Sequence, residues 1–277
     1  MSERDAAIAP TAHYTAHVWK RLGLPYATMF ATAEGARLFW TLRLAGEWLT
    51  LLTPKVPTMV EYLAQRHLLI EAALDDLSPD RIVELGAGLS RRGVTWAVDK
   101  KIRYLEVDLP HMVRAKQAAI DTHLPPRLRA DVRARLELAS CDVLSEELPH
   151  WLAARLAESR RPVVVAEGLV GYFAPQERDR LAAGIAAALR AVGGGAFVCD
   201  LRSTEGGKAI ARARRGLELG IKLITRGRGS RADFLSEDDV RAFFRRAGFS
   251  SAEPVDRRRV GRVAKTPSPA RIWVARA

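Results

Sequence analysis

The apolar positions of the chain follow two periods that alternate along its length. Residues 82–85, 102–107, 136–139, 162–166 and 196–201 are short, mostly apolar runs, which is how strands buried on both faces of a parallel sheet read. Between them, residues 60–77, 111–122 and 176–192 carry apolar positions at helical spacing. The punctuation agrees with that division. Ser78-Pro79 stops the first helix, Pro125-Pro126 the second, and Gly193-Gly194-Gly195 the alanine-rich third. Ser236, with Glu237, Asp238 and Asp239 behind it, caps a further helix that ends at Gly248. Val163, Val164 and Val165 make the most continuous apolar run and predict the strand nearest the sheet centre. Two last runs, 255–260 and 272–275, predict edge or closing strands joined by a hairpin loop at 266–269. Seven strands, the first five separated by helices, predict an α/β fold: one doubly wound, mostly parallel sheet whose last pair is a reversed hairpin.

The segment before the first strand has a different character. Residues 12–53 carry His13, Tyr14, His17, Trp19, Tyr26, Phe30, Phe39, Trp40 and Trp48, broken by Gly23-Leu24-Pro25 and stopped by Pro54 and Pro57. These aromatics either pack as an apolar face over the sheet or form one wall of a pocket for a planar molecule. The division expected is a helical cap over residues 1–78, with a loose arm to residue 11, and a Rossmann-like domain over 79–277. An arginine-rich helical insertion at about 205–230 is positioned to serve as a lid.

Composition narrows the class. A chain of 277 residues with 48% hydrophobic content can bury a substantial core. The formal charge of +12 raises the question of nucleic acid. The arginines are spread over many helices, however, and the clusters 212–215, 226–231 and 257–262 lack the interleaved aromatics that stack bases. Nucleic acid is therefore not the expected partner. Cys141 and Cys199 lie in apolar runs without metal-ligand spacing, which predicts structural burial and no metal site. No apolar run approaches a membrane span, and the N-terminus lacks a basic region ahead of an apolar core, so the expected compartment is the cytoplasm.

The chemistry concentrates where the first strand ends. Glu84-Leu85-Gly86-Ala87-Gly88 is a strand feeding a glycine turn, where backbone can approach a ligand closely. A dinucleotide fingerprint needs a third glycine three residues after the second, and that position holds Arg91. Asp108, twenty residues past Gly88 at the tip of the second strand, suits the two hydroxyls of a ribose. With Glu84 as a second acid, the turn favours S-adenosylmethionine, which carries a sulfonium and an ammonium, over a pyrophosphate. A Gly-x-Ser-x-Gly elbow is missing, and no cysteine has a nucleophile's setting.

Three motifs together, Glu-Leu-Gly-Ala-Gly-Leu at 84–89, Glu-Val-Asp-Leu-Pro at 106–110 and Ala-Glu-Gly-Leu-Val-Gly-Tyr-Phe at 166–173, resemble the leucine carboxyl methyltransferase family, which includes polyketide O-methyltransferases similar to the tetracenomycin enzyme. The resemblance covers roughly residues 65–248. It implies a class I methyltransferase sheet with an antiparallel terminal strand, S-adenosylmethionine as cofactor, and a region before the first strand that helps cover the substrate. By the same resemblance Arg66 would hold the cofactor's carboxylate, Glu167 its amino group, and Asp142 with the backbone of Val143 its adenine. The family also has a lysine where Lys116 stands. One departure is plain: where many relatives carry Asp-Thr-Arg after the turn, this chain has Ser90-Arg91-Arg92. The expected activity is O-methylation of a small secondary metabolite, a polyketide-type carboxylate or phenol, with an RNA methyltransferase or a non-catalytic cofactor-binding protein as alternatives. Tyr172 and His17 are the candidate catalytic residues. A carboxylate acceptor needs no base, whereas a phenol does. The sequence leaves the oligomeric state open.

Overall fold

Successive strand residues turn to opposite faces, and here both faces are covered. A computed structural model describes residues 3–44, 57–202, 234–261 and 270–277. Its strands are β1 (Arg81–Leu85), β2 (Arg103–Asp108), β3 (Leu136–Ser140), β4 (Pro162–Ala166), β5 (Ala196–Arg202), β6 (Ser251–Pro254) and β7 (Ala270–Arg276), and they form one sheet in the order β3-β2-β1-β4-β5-β7-β6. The first five pair in parallel, and β7 runs antiparallel between β5 and β6.

Val83, Leu85, Val164, Ala166, Phe197 and Cys199 point to one side, where helices α7 (Leu148–Leu156), α8 (Pro175–Ala191) and α9 (Glu237–Ala247) bury them. Ile82, Val163, Val165, Val198 and Ile272 point to the other, under Leu69, Ile70, Ala73 and Leu74 of α3 (Met59–Leu77). Thr58 and Glu61 form a reciprocal capping box that starts α3. The same helix reaches the other way with Tyr62 and Leu63, which pack on Tyr14, Val18 and Trp19 of α1 (Glu3–Arg21) and Phe39 of α2 (Ala33–Leu44). Thus α3 is both a layer of the sheet and a seat for the N-terminal helices. The remaining helices α4 (Arg92–Val98), α5 (Pro110–His123) and α6 (Arg129–Arg135) pack around Val94, Met112, Ile120 and Val132.

Three expectations need correction. The loose arm expected to residue 11 is helical from Glu3 onward, as the first half of α1. The strand expected at 255–260 lies earlier, at Ser251–Pro254; the Val255 amide makes a last bond to Ile272 at 2.8 Å, and Asp256 then caps a short 3₁₀ turn at Arg257–Val260. Cys199 is fully buried, but Cys141 is only half-buried, because β3 ends at Ser140 and releases the next residue into a loop. The lid at 205–230, Trp48, Pro54, the hairpin loop at 266–269 and the arginine clusters 212–215 and 226–231 lie outside the described residues. Among the described residues no helix is long and apolar enough to cross a membrane.

Candidate functional site

The strand ends carry a cavity of about 610 Å³, a size typical of small-molecule sites. Its floor is the turn after β1. Gly86 and Gly88 have φ of 67° and 54°, a region that side chains disfavour. A Cβ on Gly86 would lie 2.9 Å from Leu169 Cδ1, and one on Gly88 3.1 Å from Ala12 Cβ. Only bare backbone leaves that cradle open. The Gly86 and Ala87 amides donate to the Val107 carbonyl at 2.8 and 3.2 Å, which ties the turn to β2. Asp108 continues the tie, with Oδ2 accepting from the Gly88 amide at 2.5 Å and Oδ1 from Leu109 at 2.7 Å. Burial raises its carboxyl above the usual value, although both amide donors pull it down.

A second group of charges stands at the ends of β1 and β4. Arg66, from α3, donates through Nε to Glu167 Oε1 at 3.1 Å, and its Nη1 lies 3.7 Å from Asp200 Oδ2. Glu167 Oε2 accepts from Arg92, and His67 Nδ1 is 3.0 Å away. Arg92 also bonds Glu84 Oε1, and Tyr104 donates to Glu84 Oε2 at 2.8 Å. Burial disfavours the charged form of Glu167, but His67, Arg92 and Arg66 together hold its carboxyl well below the usual range. For Arg92, burial works against the charge, and Glu84 and Glu167 overcome it. The Gly168 amide, at φ 65°, donates to Asp200 Oδ1 at 2.5 Å, which fixes the chain just past Glu167.

Arg66, Glu84, Gly86, Ala87, Gly88, Asp108, Asp142, Val143, Glu167 and Tyr172 all line this one cavity. Asp142 also accepts from the Leu144 amide at 2.9 Å, closing a small turn that presents Val143. Tyr172 sits in a 3₁₀ turn, its hydroxyl bonded to the Thr11 side chain; burial pushes its pKa up. His17 is elsewhere. On α1 the cavity-lining residues are Thr11, Ala12, Tyr14, Thr15 and Trp19, and a residue two positions from Thr15 and from Trp19 turns to the other side of the helix. The His17 ring packs on Phe39 at 5.1 Å, in the seam between α1 and α2. The aromatics of 12–53 therefore divide: Tyr14 and Trp19 serve as wall and core at once, and Phe30 and Phe39 as core.

Sequence reasoning gave Arg92 no place in this cluster, noting it only as the arginine left over from the family pattern. It also missed Thr11, Thr15, Tyr62 and His111 on the cavity wall. The spacing of residues 11, 15 and 19 is the one signal that pointed there. Glu84 reaches the wall with both oxygens already engaged by Arg92 and Tyr104.

A family model described as leucine carboxyl methyltransferase matches residues 20–186. A protein of Mycobacterium avium (strain 104), provisionally named an S-adenosyl-L-methionine-dependent methyltransferase, is 31% identical over 99 residues, which is 36% of this chain and 30% of that protein. The chain thus matches under a third of that relative's length. Among solved structures, human N-acetylserotonin methyltransferase in complex with SAM aligns over 99% of this chain and 66% of its own, at 13% identity and a TM-score of 0.50. The S-adenosylmethionine-dependent methyltransferase SibL in its apo form aligns over 74% of this chain and 53% of its own, at 14% identity and a TM-score of 0.52. At such identities the likeness is one of fold.

Proposed function

The chain belongs to the leucine carboxyl methyltransferase family, and from that premise we propose that it transfers a methyl group from S-adenosylmethionine to an oxygen of a small secondary metabolite, a polyketide-type carboxylate or phenol. When bound, the cofactor supplies a methyl carbon on a sulfonium, already activated for in-line displacement. The residues present fit it. Bare backbone at Gly86 and Gly88 admits an adenosine, and the Asp108 carboxylate at the tip of β2 matches two ribose hydroxyls. Asp142 and the Val143 backbone would meet the adenine edge. Arg66 and Glu167, a cation beside an anion, are complementary to the carboxylate and ammonium of the methionine end.

What remains for the protein is placement and the exclusion of water. Tyr14, Trp19, Tyr62 and Phe173 give the acceptor side aromatic walls suited to a planar molecule. Tyr172, its pKa raised by burial, is a hydroxyl at neutral pH and serves to orient an acceptor oxygen, not to deprotonate it. We take the N-terminal helices as a cap over that side and the cytoplasm as the place of work. The observation that carries the reading is the juxtaposition, on one cavity, of the Gly86–Gly88 cradle and Asp108 with the Arg66–Glu167 pair. The test is incubation of the protein with methyl-labelled cofactor and an extract of the producing cell, followed by mass spectrometry of the labelled product. Label on a small-molecule oxygen supports the reading; label on RNA, or none despite tight cofactor binding, overturns it.

A further inference from the structure

Glu167 divides its two carboxylate oxygens between two kinds of neighbour. Oε1 meets Arg66, which lines the cavity. Oε2 is held from beneath by Arg92 and His67, both with fully buried side chains, and neither of them lines the cavity. Arg92 is the first residue of α4 and is fixed in turn by Glu84 at the end of β1. One guanidinium thereby fastens the acids at the ends of two neighbouring strands. A planar fork that bonds two carboxylates at once sets their orientation as well as their charge. Arg66 would be drawn toward a ligand carboxylate, and Glu167 would then rely on Arg92 and His67 to keep Oε1 aimed into the cavity.

We propose that Arg92 is a positioning residue for the amino-acid end of the cofactor: it anchors Glu167 through Oε2 so that Oε1 is presented to the ligand's ammonium, without itself touching the ligand. This rests on the functional reading above. It assigns Glu84 a different task from the one its place beside the turn suggested, as the counter-charge that fixes Arg92 and not as a ligand contact.

The test compares two probes by calorimetry. S-adenosylhomocysteine carries the amino-acid end, and 5′-methylthioadenosine is the same thioether nucleoside without it. Arg92→Met should weaken S-adenosylhomocysteine by about tenfold or more, the size of a lost charged hydrogen bond, while methylthioadenosine binds as to the wild type. Arg92→Lys, which keeps the charge but lacks the fork, should recover part of the preference. Because Arg92→Met takes the shared cation from two buried acids, leaving Glu84 to Tyr104 and Glu167 to Arg66 and His67, the double variant Arg92→Met/Glu84→Gln serves as a charge-relieved version and should show the same selective loss. Glu84→Gln alone, with the Arg92–Glu167 bond intact, should keep most of the preference. Equal losses for both probes, or an unchanged ratio in a folded Arg92 variant, overturn the proposal. A wild-type protein that binds neither probe overturns the functional reading itself, which is a distinct result.

Discussion

Oδ2 of Asp108 accepts the Gly88 amide at 2.5 Å, so the acid at the end of β2 is bonded across to the glycine turn at the end of β1. The same carboxylate lines the cavity. Asp108→Ala should therefore cost both stability and nucleoside affinity, the latter by about tenfold or more. Asp108→Asn keeps an acceptor for the amide and should spare stability more than affinity. Calorimetry with S-adenosylhomocysteine and thermal unfolding, run on both variants, separate the two effects. An Asn variant that binds like the wild type would remove the ribose from Asp108.

Glycine at 93 is required by what lies against it. A Cβ there would be 2.3 Å from Glu106 Oε1 and 2.8 Å from Leu136 Cδ1, and the Gly93 amide donates to that same oxygen at 3.1 Å. Gly93→Ala should destabilise by about 1–3 kcal/mol, as overpacking does. Gly184, inside α8, offers the contrast: its added Cβ would meet Pro149 at an ordinary 3.4 Å. Gly184→Ala should stabilise by about 0.5–1 kcal/mol through helix propensity. Urea midpoints of the two variants should move in opposite directions.

Part of the site could be read in the sequence and part could not. The turn at 86–88 and the acid at 108 are local signals: a strand that stops, a residue that tolerates positive φ, a carboxylate at a fixed interval. The inner strands β4 and β5 were legible for a related reason, since both of their faces are buried and their apolar runs are nearly continuous. Arg92 gave no such signal. Its partners Glu84 and Glu167 stand at the ends of different strands, and His67 on a helix before both, so the cluster forms only once β1 and β4 are paired. His17 failed in the opposite way: its type suggested chemistry, and the rotation of α1 turned it from the cavity. The strand at 251–254 was misplaced because Ser251-Ala-Glu-Pro254 has too few apolar residues to announce an edge strand.

The Glu106–Lys116 pair under α5 predicts a pH dependence of stability. Both side chains are almost fully buried, and burial pushes the Glu106 carboxyl from 4.5 up to about 7, although Lys116 pulls it down. A raised carboxyl means the folded state binds a proton that the unfolded state has already released. This contribution to stability is present below about 4.5 and is lost as pH rises to about 7. The variant Glu106→Gln/Lys116→Met removes the titrating pair together. Between pH 5 and 7.5, the unfolding free energy of the wild type should fall relative to that of the double variant. Parallel profiles would show that Glu106 has the same pKa in both states.

Tyr172 and His17 were the two candidates for chemistry, and their surroundings now predict opposite outcomes. Tyr172 faces the cavity with its hydroxyl bonded to Thr11, and a buried hydroxyl that stays protonated acts by donating. Removing it leaves the proposed nucleoside contacts at Gly88, Asp108 and Asp142 in place. Tyr172→Phe should therefore keep S-adenosylhomocysteine affinity and lower kcat/KM for the acceptor by about threefold to tenfold, the value of one neutral hydrogen bond. A tyrosinate base would instead leave far less activity and an alkaline shift in the rate profile. His17 packs on Phe39, with its buried Nε2 making no hydrogen bond among the described residues, so its replacement acts on the α1–α2 seam. His17→Leu should alter the melting temperature and leave kcat/KM unchanged. Were His17→Leu to abolish turnover in a stably folded protein, α1 would have to rotate in the working enzyme, and the cavity wall built from Thr11, Thr15 and Trp19 would not be the one the acceptor meets.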